Sequence, residues 1–358
     1  MSTEWFDLVS GSATGAKATL ARAGLRALSV PFAAAAGLRR WLYRRGVLAS
    51  RRAPVPVISV GNITVGGTGK TPLVEYLARG LIERDRKPGI VSRGYKACPG
   101  SSGDEASMLR GDLGADVAVV EDPVRHRGCL RAVEEFAADV IVLDDGFQHL
   151  ALERDVDIVT VDATNAFGFG RLLPAGCLRE PPRELRRADC VVVTRTDLVP
   201  AADITGLRGR LVEIAPDVLV VESTYAPRQL VGRDGEAREA SDLDGARVAA
   251  FCGIGNPYAF GMTLRRQGAE VVLARRFADH HDFTRDEILS VFEEARSRSA
   301  DMVVTTQKDM TRITPALMDG VDGPPLFVLR ARFRVRSGEK ELWGLIGRAL
   351  KAPRSGRS

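Results

Sequence analysis

The stretch GNITVGGTGKTPLVEYLA, residues 61–78, constrains this chain more than any other. It follows the apolar run VPVISV and leads into a helix-forming segment, the strand–loop–helix setting that a phosphate-binding loop requires. Gly66, Gly67 and Gly69 let the main chain turn its N–H groups toward one point, and the helix N-terminus adds partial positive charge there. Lys70 can reach the β- and γ-phosphates of a nucleotide, and the Thr71 hydroxyl can hold Mg²⁺. Residues 64–71 (Thr64, Val65, Gly66, Gly67, Thr68, Gly69, Lys70 and Thr71) are therefore the candidate nucleotide cradle. The general pattern G-x-x-x-x-G-K-[ST] would place a glycine at Thr64, so the loop departs from it at one position.

A loop of this kind needs a parallel sheet beneath it, and the sequence supplies one. Short runs rich in Val and Ile recur at 55–62, 89–94, 117–122, 139–145, 156–163 and 190–197. They show little alternation, so they read as strands buried on both faces. Between them lie helix-like segments such as LVEYLARGLIERD, with Leu73, Leu77, Leu81 and Ile82 on one side. The fold class is α/β, a P-loop NTPase-like parallel sheet with helices on both faces. A second series at 218–225, 247–255, 270–277, 302–309 and 325–335 predicts a smaller α/β domain. The polar stretch 226–246 reads as a connector or hairpin. The expected organisation is an N-terminal amphipathic segment over 1–52, a P-loop kinase-like domain over 53–225, a second domain over 226–335, and a C-terminal helix and tail over 336–358 that returns to the first domain.

The N-terminal segment carries an uncharged run, residues 27–38, between Arg22 and Arg26 on one side and Arg39, Arg40, Arg44 and Arg45 on the other. It is too short to span a bilayer as a helix, and it lacks the layout of a signal peptide. Trp41, Leu42 and Tyr43 between arginine pairs suit a helix lying in the membrane interface; the plain alternative is an amphipathic helix packed on the domain. Pro31 is expected to kink or interrupt it. The net charge of +5 and pI near 9.1 permit nucleic acid, an anionic membrane or a phosphorylated substrate. No nucleic-acid-binding signature is present. The five scattered cysteines match no zinc pattern.

Asp144 and Asp145 end the apolar run 140–143, where a strand-tip carboxylate stands beside the loop and can hold Mg²⁺. The motif continues as DDGFQH, residues 144–149. With it come SRGY (92–95), GDEA (103–106), LLPAGCLREP (172–181), GIGNP (253–257), FADHHDFT (277–284) and TTQKD (305–309). Together these resemble the tetraacyldisaccharide 4′-kinase family, over roughly residues 15–350. Thr64 belongs to that family's own form of the loop. Ala106, Cys177 and Ala278 stand where the family commonly has proline, and none of them removes a reactive group.

The resemblance implies transfer of the γ-phosphoryl group of ATP, with Mg²⁺, to the 4′-hydroxyl of an acylated glucosamine disaccharide 1-phosphate lipid, giving lipid IVA. It implies a peripheral protein at the cytoplasmic face of the inner membrane, with no nucleic-acid partner; a monomer is expected. On the matching positions, Asp104 is the expected base and His280 its partner, with Lys70 and Asp145 also in the catalytic set. The metal set is Thr71 and Asp144, with Glu105 more weakly. Gln148, His149, Arg179 and Glu180 are expected near phosphate or acceptor, although Glu180 could only anchor Arg179. Asp104 and His280 fall on different expected domains, so catalysis is expected to need closure. TRTD (194–197) follows a strand and could line the base pocket, while Lys308 and Asp309 read most simply as a strand-end ion pair. The rival readings are a P-loop GTPase acting as a metal or cofactor chaperone, which would favour guanine and carry Cys or His clusters, and a non-enzymatic nucleic-acid or membrane binder.

Overall fold

The computed structural model of the chain describes residues 3–94 and 103–352; Tyr95 and Cys98 lie outside them. In chain order the elements are α1 (Thr3–Ser10), α2 (Ala16–Arg44), β1 (Val57–Asn62), α3 (Lys70–Ile82), β2 (Pro88–Ser92), α4 (Asp104–Leu113), β3 (Ala118–Glu121), α5 (Arg125–Phe136), β4 (Val140–Asp144), β5 (Val156–Asp162), β6 (Cys190–Thr194) and α6 (Ala201–Ile214). Then follow β7 (Leu219–Gly232), β8 (Ala237–Glu239), β9 (Arg247–Cys252), α7 (Pro257–Arg266), β10 (Glu270–Arg276), α8 (Arg285–Ser297), β11 (Met302–Thr306), α9 (Gln307–Met310), β12 (Leu326–Ser337) and α10 (Glu339–Lys351). The chain divides into two compact units.

The larger unit is Val9–Thr224 with residues 335–352. Its strands run in the order β7–β6–β5–β1–β4–β2–β3, with β1 parallel to both β4 and β5. Every residue of β1, β4, β5 and β6 is buried, which is why these strands are dense in Val and Ile on both faces, although β1 and β5 also bury Ser59, Asn62, Asp157, Thr160 and Asp162. α3 buries Leu73, Leu77 and Leu81 at four-residue spacing, one stripe on the sheet. α10 returns to this unit: Leu342 and Ile346 are buried, and the Trp343 indole N–H donates to the Tyr76 hydroxyl at 3.0 Å.

α2 also docks here. Ala18, Ser29 and Arg40 recur every 11 residues, three helical turns, and so share one face. Ser29 donates to the carbonyl of Leu172 and accepts from Ala175 N–H. Arg40 is buried between Glu180 and Glu184, at 3.4 Å from each. Leu20, Leu28, Val30, Leu38 and Trp41 are exposed, and all lie within about 80° of the opposite side of an ideal helix. Of the kink or interruption expected at Pro31, the interruption does not occur, since α2 runs through it. Pro31 removes the donor to the Ala27 carbonyl, but Ala27 is exposed, so water can take that bond.

The smaller unit is Tyr225–Arg334 with residues 3–8. β9, β10, β11 and β12 form parallel ladders in the order β10–β9–β11–β12. The polar stretch after residue 225 forms a hairpin in which Leu230 of β7 pairs with Arg238 of β8. Leu230, Val248, Phe260, Val304 and Phe327 pack one side of the sheet, and Phe251, Phe283, Ile288, Phe292 and Val303 the other.

Candidate active site

The loop from β1 to α3 is held from beneath by hydroxyls. Thr68 is buried; its hydroxyl lies 2.7 Å from that of Thr160 and accepts from Asn62 Nδ2 at 3.0 Å. The Thr194 hydroxyl, at the tip of β6, donates to the Thr68 carbonyl at 2.9 Å. Val65 N–H donates to the Cys177 carbonyl at 2.7 Å, and buried Thr64 bridges Leu178. The LPAGCL segment therefore forms one wall of the loop. Gly69 adopts φ +90° at the N-cap of α3, a left-handed conformation that β-carbons disfavour, and it turns the chain so that Lys70 opens the helix. Thr64 and Thr68 serve the cradle by fixing its main chain.

Asp144 ends β4 in register with Val60 of β1, which places it beside the loop. It is 4% exposed, and its Oδ1 has no hydrogen-bond partner. Burial, reinforced by the nearby charge of Glu105, pushes this carboxyl up to about 7, while Lys70 pulls it down. A buried carboxylate oxygen without a partner is costly unless a cation meets it. Among the described residues no group of three or more His, Cys, Asp or Glu could hold a metal alone. Those two facts fit Mg²⁺, which keeps several waters and takes one or two protein ligands plus phosphate oxygens. Thr71 and Asp144 would hold it, with Glu105 nearby.

Asp145 faces the opposite charge. Burial would raise its carboxyl, but Lys70 at 3.6 Å and Arg179 at 2.7 Å outweigh this and hold it well below the usual carboxylate range. Arg179 also donates to Asn62 Oδ1 at 3.0 Å. Two cations are thus gathered at the loop around one acid. Arg125 is buried, with Asp145 and Asp144 both acting on it electrostatically. Asn62 and Arg125 were not among the sequence-expected residues. Asn62 lies inside the quoted loop stretch, whereas nothing local marks Arg125.

His149 is half-buried; burial and the charges of Arg125, Arg39, Arg154 and Arg93 push it down to about 4, so it is neutral at physiological pH. Gln148 donates to the Asn62 carbonyl at 2.8 Å and its Oε1 is buried without a partner. Glu180 does not anchor Arg179. It is buried and receives Arg40 and Arg187, and it lies 3.4 Å from Gln148 Nε2. A carboxylate so surrounded ties α2 to the loop region rather than meeting an acceptor. Arg195 of TRTD pairs with Asp162.

Gly103 is the N-cap of α4, and Asp104 is its first residue. In the smaller unit, three distant motifs converge at the carboxyl ends of β9, β10 and β11. His280 takes φ +58°, its N–H donating to the Gly253 carbonyl at 3.1 Å. Gly253 N–H donates to Asp309 Oδ1 at 3.0 Å. Lys308 Nζ is 3.1 Å from His280 Nε2 and 3.4 Å from Asp279 Oδ1. Neighbouring His281 pairs with Glu287 at 2.9 Å and stacks on Phe277.

A glycine loop capped by a lysine-first helix, beside a buried strand-tip carboxylate on a parallel sheet, defines a P-loop nucleotide-binding protein of the phosphotransfer type. The family model for tetraacyldisaccharide-1-P 4′-kinase matches residues 21–351. The chain belongs to the tetraacyldisaccharide 4′-kinase family. It is 44% identical over 322 residues to a tetraacyldisaccharide 4′-kinase of Anaeromyxobacter dehalogenans strain 2CP-C, covering 85% of this chain and 84% of that protein. It is 42% identical over 355 residues to the corresponding protein of strain 2CP-1, covering 94% and 92%. The crystal structure of LpxK from Aquifex aeolicus, described as an "apo" form in complex with ATP, superposes with a TM-score of 0.67 at 32% identity, covering 92% of this chain and 99% of that one.

Proposed function

We propose that the protein transfers the γ-phosphoryl group of ATP to the 4′-hydroxyl of a tetraacylated glucosamine disaccharide 1-phosphate. The carrying observation is Lys70 at the head of the helix that follows β1, with the adjacent parallel strand β4 ending in buried Asp144, whose Oδ1 has no hydrogen-bond partner, in a chain of this family. Lys70, Arg179 and the loop N–H groups bind and neutralise phosphoryl oxygens. Mg²⁺, when bound at Thr71 and Asp144, supplies further neutralisation of phosphate charge. Asp145 holds the Lys70 and Arg179 side chains together until phosphate competes for them. Asp104 takes the proton of the sugar hydroxyl, and His280 supports that transfer.

The acceptor is a lipid, and α2 suits a protein that works at a lipid surface. No helix among the described residues is long and apolar enough to cross a membrane. The exposed Leu20, Leu28, Val30, Leu38 and Trp41 face of α2 supports a peripheral attachment, with Arg39 and Arg45 set over Tyr43 and Trp41. The cytoplasmic face of the inner membrane is the compartment that supplies both ATP and this acceptor.

Radiolabelled γ-phosphate transfer from ATP to the disaccharide lipid in detergent micelles tests the reading, for wild type and Asp104→Ala. Labelled lipid from wild type, with a loss of about 10²-fold or more in the variant at unchanged ATP binding, is expected. Nucleotide hydrolysis without any labelled lipid would remove the kinase assignment.

A further inference from the structure

The sequence reads Lys308 as half of an ion pair, yet its ammonium stands against a ring nitrogen. An ammonium is a donor only, with no lone pair to offer. Its nitrogen stands 3.1 Å from His280 Nε2. Such a contact is favourable only if Nε2 accepts, which leaves the ring neutral with its proton on Nδ1. A protonated imidazole there would set two cationic donors against each other. Asp279 Oδ1, 3.4 Å from the ammonium and 3.9 Å from Nε2, favours keeping the positive charge on Lys308. All three side chains are largely enclosed, at 18%, 19% and 27% exposure for Lys308, His280 and Asp279, so these charges are only partly screened.

The main chain is held by the next residue along. Asp309 is fully buried, accepts from Gly253 N–H, and sits 3.6 Å from Arg312. The Gly253 carbonyl in turn accepts the His280 N–H. Consecutive residues of α9 therefore control both parts of one histidine: Asp309 its main chain through Gly253, and Lys308 its ring. A pair that served only stability would not need the left-handed main chain at His280, which costs free energy at a non-glycine residue.

We propose that Lys308 is a positioning residue that locks His280 as the neutral tautomer, with the lone pair on Nε2 and the proton on Nδ1. The proposal rests on the role given to His280 above. Among the described residues, charged groups around the ring include Asp279 and Lys308, with Asp309, Arg312 and the His281–Glu287 pair on the surrounding segments.

The test is NMR on ¹⁵N-histidine-labelled full-length protein in micelles, with kinetics on the same samples, for wild type, Lys308→Met, Lys308→Gln and His280→Ala. Wild type should show His280 protonated on Nδ1. Lys308→Met should release that tautomer and lower kcat about tenfold with the KM for ATP unchanged. Lys308→Gln keeps an N–H donor and should restore the tautomer and most of the rate, which a purely structural role for the charge would not predict. A wild-type ring protonated on Nε2 overturns the proposal, as does an unchanged tautomer and rate in Lys308→Met. The two readings fail separately: full activity in His280→Ala removes the histidine's role, and with it any part for Lys308 in catalysis. Lost activity in His280→Ala beside normal Lys308→Met removes the Lys308 proposal alone.

Discussion

The Lys70 loop and the His280 cluster both sit at the carboxyl ends of neighbouring parallel strands, β1 with β4 in one unit and β9 with β10 and β11 in the other. They use that position differently. Around Lys70 the binding groups are largely main chain, aimed by glycine torsions and a helix N-terminus and braced by Thr68, Thr160 and Thr194. Around His280 the polar group is a side chain, fixed in a left-handed backbone by a lysine and an aspartate from another strand end. A cradle of amides is specific for charge and tolerant of the exact ligand. A fixed imidazole is specific for one hydrogen-bond direction. On the roles proposed above, one strand-end geometry builds an anion site in one unit and a proton-directing site in the other, according to what braces it.

Lys70→Ala sharpens the comparison most. It removes the charge that the amide cradle cannot replace, so kcat should fall about 10²–10³-fold. It also leaves Asp145 with Arg179 as its remaining short-range cation. Fluorescent-nucleotide titration should show weakened but measurable binding, because loop amides remain. Near-normal turnover in this variant would mean that the loop is a binding site only.

How much of this was visible in the sequence follows the same division. β1, β4, β5 and β6 were legible because strands covered on both faces read as short runs dense in Val and Ile. The loop was legible because its function depends on glycine torsions and a lysine at fixed spacing. The His280 cluster was legible only through family resemblance, since Gly253, His280 and Lys308 meet across three strand ends that no local pattern connects. Glu180 shows the same limit: its partner Arg40 lies 140 residues away, so burial of the pair leaves no trace in either neighbourhood. Pro31 does not interrupt α2, because the bond it removes lies at an exposed carbonyl where water can replace it.

Gly253→Ala probes the side-chain-built site at its tightest point. A β-carbon there would stand 3.0 Å from the Ala278 carbonyl, 3.2 Å from His281 Cβ and 3.3 Å from Asp309 Oδ1. Relief must move the 278–281 segment or Asp309, and either displaces His280. An angstrom of misplacement costs on the order of tenfold to a hundredfold in rate, so kcat should drop about tenfold while the KM for ATP holds. An unchanged kcat would show that the histidine need not be held tightly, which would erase the contrast with the loop.

Asp144→Asn carries the smallest expected effect and bears on the loop side of the comparison through stability. In EDTA the wild-type carboxylate is buried, repelled by Glu105 and Asp145, and has a partnerless oxygen. Its folded-state pKa of about 7 lies above the ordinary 3.8. The stability contributed by the protonated form is therefore present below about pH 4 and lost as pH rises through 7. Asparagine stays neutral, so the variant should match wild type near pH 4 and be more stable at pH 8, by about 1 kcal/mol or roughly 2–4 °C in Tm. Adding Mg²⁺ and nucleotide should reverse the order, because the bound cation compensates the wild-type charge and has less to hold in the variant. Calorimetry at both pH values, with and without Mg²⁺-nucleotide, reads all four states. An advantage for asparagine that did not grow with pH would mean that Asp144 is already satisfied without a cation, and the strand-tip carboxylate would lose its claim to the metal.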